Sequence, residues 1–125
     1  MKIENIKFKA KKTLDGKWIK GDLVHHKDSD NVWMTDFEKR LTSPIDPSTV
    51  CQFTGLKDCK GKEIFEHDLI HFVGHKPTGE VIWSEENYAF MVASVNEPLY
   101  WLSDVLEIGK IERVGNKFDR KEGEK

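Results

Sequence analysis

The sequence contains only two cysteines, Cys51 and Cys59. They are too few for a disulfide framework and have no CxxC spacing. No apolar run approaches the length of a membrane span, so no membrane partner is expected. The opening Met-Lys-Ile-Glu leads into a charged run rather than an apolar one, which argues against a signal peptide. Reduced thiols and a cytoplasmic location are the expectation. There is also no Gly-rich phosphate loop, no Ser nucleophile elbow, no zinc-ligand spacing and no internal repeat. These absences point away from an enzyme, and no cofactor is called for.

What is present is aromatic and charged. Four Trp and seven Phe in 125 residues supply the burial that offsets the entropy of ordering, which excludes a disordered chain. The length fits one domain or two small lobes. The net charge of −2 joins unlike halves. Residues 1–62 carry 13 Lys and Arg against 9 Asp and Glu, a net of +4, and residues 63–125 carry 7 against 13, a net of −6. Such asymmetry fits a solvated surface, a basic binding face, or subunits that meet head to tail.

Alternation predicts strands along most of the chain. Over Ile3 to Lys12, Ile6, Phe8 and Ala10 alternate with Lys7, Lys9 and Lys11. The lysine row reads as an edge guarded against pairing with another chain. Its alternative is a basic face for nucleic acid built from Lys7, Lys9, Lys11, Lys12 and Lys20, but no aromatic residue interleaves with the lysines along the strand. Asp15-Gly16 is a hairpin signal. Lys17 to His26 follows, with Trp18 and Leu23 or Val24 inward and a bulge or bend at Gly21-Asp22. A third strand covers Val32 to Phe37, and Glu38 to Pro44 reads as a loop or one helical turn closed by Pro44.

The densest stretch is Ile45 to Val73. Asp46-Pro47-Ser48 forms a turn in which Pro47 sets φ and Asp46 caps backbone donors. A strand over Thr49 to Thr54 ends at Gly55, and Asp58-Cys59-Lys60-Gly61 fits a turn with Asp first and Gly last. Asp58 and Asp68 read as acceptors of backbone N–H bonds, each contributing on the order of 1 kcal/mol. Leu69 to Val73, Glu80 to Ser84 and Tyr88 to Val95 form a curled meander of the kind found in small SH3-like barrels. Leu99 to Leu106 reads as a strand and then a helical turn with Ser103 as N-cap. A last strand covers Leu106 to Val114 with Ile108 and Ile111 inward, followed by a disordered tail over 115–125. The expected fold is mainly β: an N-terminal antiparallel meander lobe over 1–46, then an SH3-like barrel over 47–114.

Three histidines, His67, His71 and His75, recur every fourth residue. On a helix they could share a metal ion, but on a strand His71 and His75 stand about 13 Å apart, so no metal site is expected. Lys57, Lys60 and Lys62 surround Cys59, which makes it the more reactive thiol, though an incidental turn residue reads more simply. The four tryptophans are core or interface residues.

The strings Asp46-Pro47-Ser48-Thr49-Val50, Gln52-Phe53-Thr54-Gly55-Leu56-Lys57-Asp58, Gly61-Lys62-Glu63-Ile64-Phe65-Glu66 and Asp68-Leu69-Ile70 resemble the YopX family of phage and prophage proteins. Ile6 to Ala10, Gly79 to Trp83 and Ile108 to Ile111 are similar to its outer strands. Cys51 and His67 stand where that family more often has Gly, and Cys59 replaces a polar turn residue. A non-Gly residue at 67 requires either a negative φ or an accommodated left-handed conformation. The resemblance implies a β-rich protein of phage origin acting inside the bacterial host, with some tendency to self-assemble, and it carries over no catalytic residue. The expected function is a non-enzymatic binding module that self-associates and meets a host or phage protein. Nucleic-acid binding through the basic lobe is the alternative, and an enzyme using Cys59 or the histidines ranks last.

Overall fold

The computed structural model describes residues 2–73, 78–95 and 98–119. The chain forms two compact units, 1–53 and 54–125. The division between units falls inside a strand, β5 (Cys51–Lys57). Both units are built mainly from antiparallel strands.

The first unit is a curled meander. β1 (Phe8–Lys11), β2 (Trp18–His25), β3 (Val32–Asp36) and β4 (Thr42–Ile45) lie in the order β4-β3-β2-β1, with β5 and then β6 (Glu63–Phe65) continuing beyond β1. Ile3–Asn5 form a short 3₁₀ turn rather than the start of the first strand. Period-two alternation places Ala10, Ile19, Met34 and Ile45 on the inner face, where Phe8, Leu23, Val32 and Val50 pack against them. Ile19, not Trp18, is therefore the inward residue at the start of β2. The curl brings β4 back toward β1 at a single bridge, Lys12 with Ile45, beside an Asp46 N–H bond to the Lys11 carbonyl of 2.9 Å. Pro44 lies in β4, opposite Trp33, and not in a loop. It is tolerated there because β4 is an edge, where a missing N–H disrupts no ladder.

Gly21 does not form a bulge. It pairs in register with Phe8 on one side and Asp36 on the other. A Cβ at this position would lie 1.8 Å from the Thr35 carbonyl oxygen, so the close approach of β3 requires glycine.

The second unit is a sheet of β7 (Asp68–Phe72), β8 (Gly79–Ser84), β9 (Ala89–Ala93), β10 (Tyr100–Trp101) and β11 (Ile111–Asn116), ordered β10-β9-β8-β7-β11. A helix, α1 (Leu102–Ile108), packs on one face. Ile64, Ile70, Val81, Val92, Leu102, Val105 and Ile111 form the core, each large aliphatic side chain contributing about 1.5–3 kcal/mol by its burial.

Among the described residues neither sheet closes, so the expected SH3-like barrel is replaced by an open sheet with a helix on it. The reason lies in the 99–109 segment. Leu102 and Val105, three apart, present one helical stripe to the core, and this fills the space a closing strand would take. The N-cap of the helix is Trp101, which makes no side-chain cap bond, and not Ser103. Ile108, expected inward on a strand, is 75% exposed at the helix end. The expected tail is also overturned in its first half: β11 runs through Asn116, a 3₁₀ turn covers Lys117–Asp119, and Asn116 is buried. Residues 120–125 lie outside the described residues.

Candidate binding face and the carboxylate joint

Register sets which side chains of the first unit point away from its Ala10, Ile19, Met34 and Ile45 core. Lys9 pairs with Lys20 and Cys51, and Lys11 pairs with Trp18. The Phe53 N–H donates to the Lys7 carbonyl at 3.0 Å, which puts Phe53 beside Lys7. Partners across an antiparallel ladder point the same way. Lys7, Lys9, Lys11, Lys20, Trp18 and Phe53 therefore share one face.

On that face the lysines sit over rings. Lys7 Nζ lies 4.8 Å from the centre of Phe53, and Lys9 and Lys11 Nζ lie 5.1 and 5.5 Å from the Trp18 ring. The aromatic residues missing between the lysines along β1 come from β2 and β5 instead. Lys9 and Phe53 are buried, Lys7, Lys11 and Trp18 half-buried, and Lys20 exposed. The Phe37 N–H donates to the Lys20 carbonyl at 3.1 Å, which sets exposed Phe37 next to Lys20. Lys12 leaves this set: its strand position is bridged to Ile45, and its Nζ pairs with Asp15 Oδ2 at 3.2 Å.

The turn residues of the central stretch have specific partners. Asp46 caps the 3₁₀ turn Pro47–Thr49, its Oδ1 accepting from the Ser48 N–H at 3.0 Å and the Ser48 hydroxyl at 2.7 Å. Gly55 lies within β5 at φ +85° instead of ending it. Gly61, at φ +82°, closes the Asp58 turn with its N–H on the Asp58 carbonyl at 3.0 Å.

Asp58 Oδ1 accepts the N–H groups of Lys60 and Lys62, each at 2.9 Å, and its Oδ2 accepts the N–H of Arg113 at 2.8 Å. Burial works against this carboxylate. The N–H bonds from Arg113, Lys62 and Lys60, with the Lys62 charge, outweigh it and hold the Asp58 pKa below the ordinary aspartate value. The Cys59 N–H bonds the Ile111 carbonyl at 2.9 Å, so the turn also covers the outer edge of β11.

Asp68 is fully buried. Its Oδ2 accepts the Phe65 N–H at 2.7 Å and faces Arg113 Nε at 3.1 Å, while its Oδ1 accepts from Asn116 Nδ2 at 2.9 Å. Arg113 thus serves both aspartates, one with its backbone and one with its side chain. Sequence reasoning missed Arg113 and Asn116, because both lie some fifty residues downstream of the carboxylates they meet.

His67 takes the left-handed conformation at φ +69°. Its Nδ1 donates to Glu80 Oε2 at 2.9 Å, and its ring meets the Phe118 ring edge-on at 5.3 Å. His71 lies opposite Glu112 in the β7–β11 ladder, and His75 is outside the described residues. Among the described residues no group of three or more His, Cys, Asp or Glu side chains could hold a metal ion. Cys51 is buried with its Sγ directed at the Thr49 carbonyl at 3.2 Å, and Cys59 is exposed. Lys60, beside Cys59, is drawn to Glu112 Oε2 at 3.0 Å, and that carboxylate raises the lysine pKa.

Among the described residues no helix is long and apolar enough to cross a membrane. Fold and site together define a small β protein of two units built mainly from antiparallel strands, the first carrying a lysine-and-aromatic sheet face and the second a carboxylate-capped turn. The chain belongs to the YopX family, whose model, described as YopX protein, matches residues 7–122. A search of curated proteins finds no match.

Proposed function

We propose that the protein is a non-enzymatic, phage-encoded binding module. Its first unit takes single-stranded nucleic acid along the lysine-bearing face of β1 and β2. One observation carries this reading: the β1 lysines are interleaved with the rings of Trp18 and Phe53. Single strands are held by cations that follow the backbone and by aromatic surfaces on which bases stack. Lys7, Lys11 and Lys20 supply charge and Trp18 and Phe37 supply ring surface, while Lys9 and Phe53 are buried.

The test is fluorescence anisotropy with a labelled oligothymidine at low salt. The triple variant Lys7→Gln, Lys11→Gln, Lys20→Gln should bind at least ten-fold more weakly. Absence of binding by the wild-type protein at low salt removes the proposal.

Self-association is the second reading. It is favoured by aromatic residues left uncovered on the second unit, with Trp83 40% and Tyr100 45% exposed.

A further inference from the structure

The lysine-bearing face of the first unit continues past Lys20 in two further rows. Alternation along β2 puts Lys20, Asp22 and Val24 on one side. Register sets Asp22 opposite Thr35, and Thr35 opposite Thr42. In the next row Val24 is opposite Trp33, and Trp33 opposite Pro44. Phe37 stands beside Lys20, tied by its N–H bond to the Lys20 carbonyl. On β3, therefore, Thr35 lies between two rings of the same face, Phe37 and Trp33, each about 7 Å away along the strand.

This middle row is polar. Asp22 and Thr42 are exposed and Thr35 is half-buried. The Thr35 and Thr42 hydroxyls lie 2.8 Å apart, and either can donate to the other. That bond uses one hydroxyl hydrogen and leaves the second for a ligand. Among the described residues the Asp22 side chain has no hydrogen bond or ion pair, although Lys20 precedes it on the same face. A carboxylate on a face that takes a polyanion weakens the attraction, unless the ligand brings it a proton donor.

Only some bases bring one. The cytosine amino group donates to a carboxylate, whereas thymine presents the acceptor O4 at the same ring position. The cytosine N3 next to that amino group accepts a hydroxyl hydrogen, which the threonine pair can supply. We infer that Asp22, with the Thr35–Thr42 hydroxyl pair, reads the edge of one base of the bound strand and selects cytosine over thymine or uracil. The inference rests on the nucleic-acid reading of this face and adds a base preference to it. Lys7, Lys11 and Lys20 hold the backbone of any sequence, and Asp22 distinguishes between sequences.

Labelled oligocytidine and oligothymidine of equal length test this, because they hold ring size constant and differ at the edge that Asp22 would read. Fluorescence anisotropy at low salt, in mildly alkaline buffer that keeps cytosine unprotonated, gives both affinities. The wild type should bind oligocytidine about five-fold more tightly or better. Asp22→Asn removes a negative charge from the face, so both affinities should rise. Their ratio should fall to about one, since an amide can accept from cytosine or donate to thymine. Thr42→Val, at an exposed edge position, should lower the ratio without raising the oligothymidine affinity. Circular dichroism checks that each variant folds. Equal wild-type affinities overturn the base preference and leave the nucleic-acid reading standing. A preference that persists in Asp22→Asn overturns the assignment to Asp22. A wild type that binds neither oligomer removes both the preference and the reading beneath it.

Discussion

Arg113 Nε lies 3.1 Å from Oδ2 of Asp68, a carboxylate with no exposed surface. The same oxygen accepts the Phe65 N–H, and the other oxygen accepts from Asn116. One side chain therefore ties the turn after β6 to the last strand. The backbone of Arg113 ties that strand to the Asp58 turn.

Replacing Asp68 leaves an arginine, an amide and a backbone N–H without their shared partner. Asp68→Ala should cost about 3 kcal/mol, as expected for breaking a buried ion pair from one side. Asp46→Ala, which removes an exposed cap, should cost only about 1 kcal/mol. Urea unfolding of the two variants checks the ranking.

Asp58 governs part of the acid stability. Its folded pKa is lowered, so its stabilisation is fully present above the ordinary aspartate pKa of about 3.9 and is lost as pH falls through the lowered folded value. Asp58→Asn should be less stable than wild type at neutral pH, and the gap should narrow as the solution is acidified below about pH 4. Urea midpoints measured from neutral to acid pH read this directly, and a gap that is constant with pH would refute it.

His67 accepts a conformation that disfavours any side chain with a Cβ. His67→Ala keeps that strain and loses both the Glu80 bond and the Phe118 contact. His67→Gly loses the same contacts but not the backbone fit, so it should be about 1 kcal/mol more stable than the alanine variant. Thermal unfolding of the pair measures the difference.

Gly21 has no room for a methyl group against the Thr35 carbonyl. Gly21→Ala should push β2 and β3 apart and cost about 1–3 kcal/mol, the range of overpacked sites. Unfolding by urea, with amide exchange of the β3 N–H groups, tests both the cost and its location.

If a single strand lies on the β1–β2 face, each lysine that contacts a phosphate contributes to the salt dependence. The plot of log affinity against log salt should lose about 0.7 in slope for each of Lys7, Lys11 and Lys20 changed to Gln. Lys12→Gln, whose partner is Asp15, should leave the slope unchanged.

The tertiary contacts divide these residues into two groups. Those whose role is local were legible in the sequence: Asp46 and Pro47 cap and open a turn within three residues, Asp58 and Gly61 close one within four, and alternation located most strands. Those whose role is long-range were not. Lys7, Lys9 and Lys11 look bare along β1, because the rings beside them belong to strands placed there by pairing. Trp18 looks like core, because alternation identifies two faces without saying which one the curl will enclose. Leu102 to Ile108 is too short for its period to separate a strand from a helix, and its packing on Val81 and Val92 decided the outcome. Arg113 acquires its role only when β11 is laid against β7. By itself, then, the sequence determined a β-rich chain, its turns and its family. Strand pairing, which brings distant residues within hydrogen-bonding distance, decided which lysines meet aromatic rings, where the buried carboxylate finds its cation, and that the second sheet stays open beneath a helix.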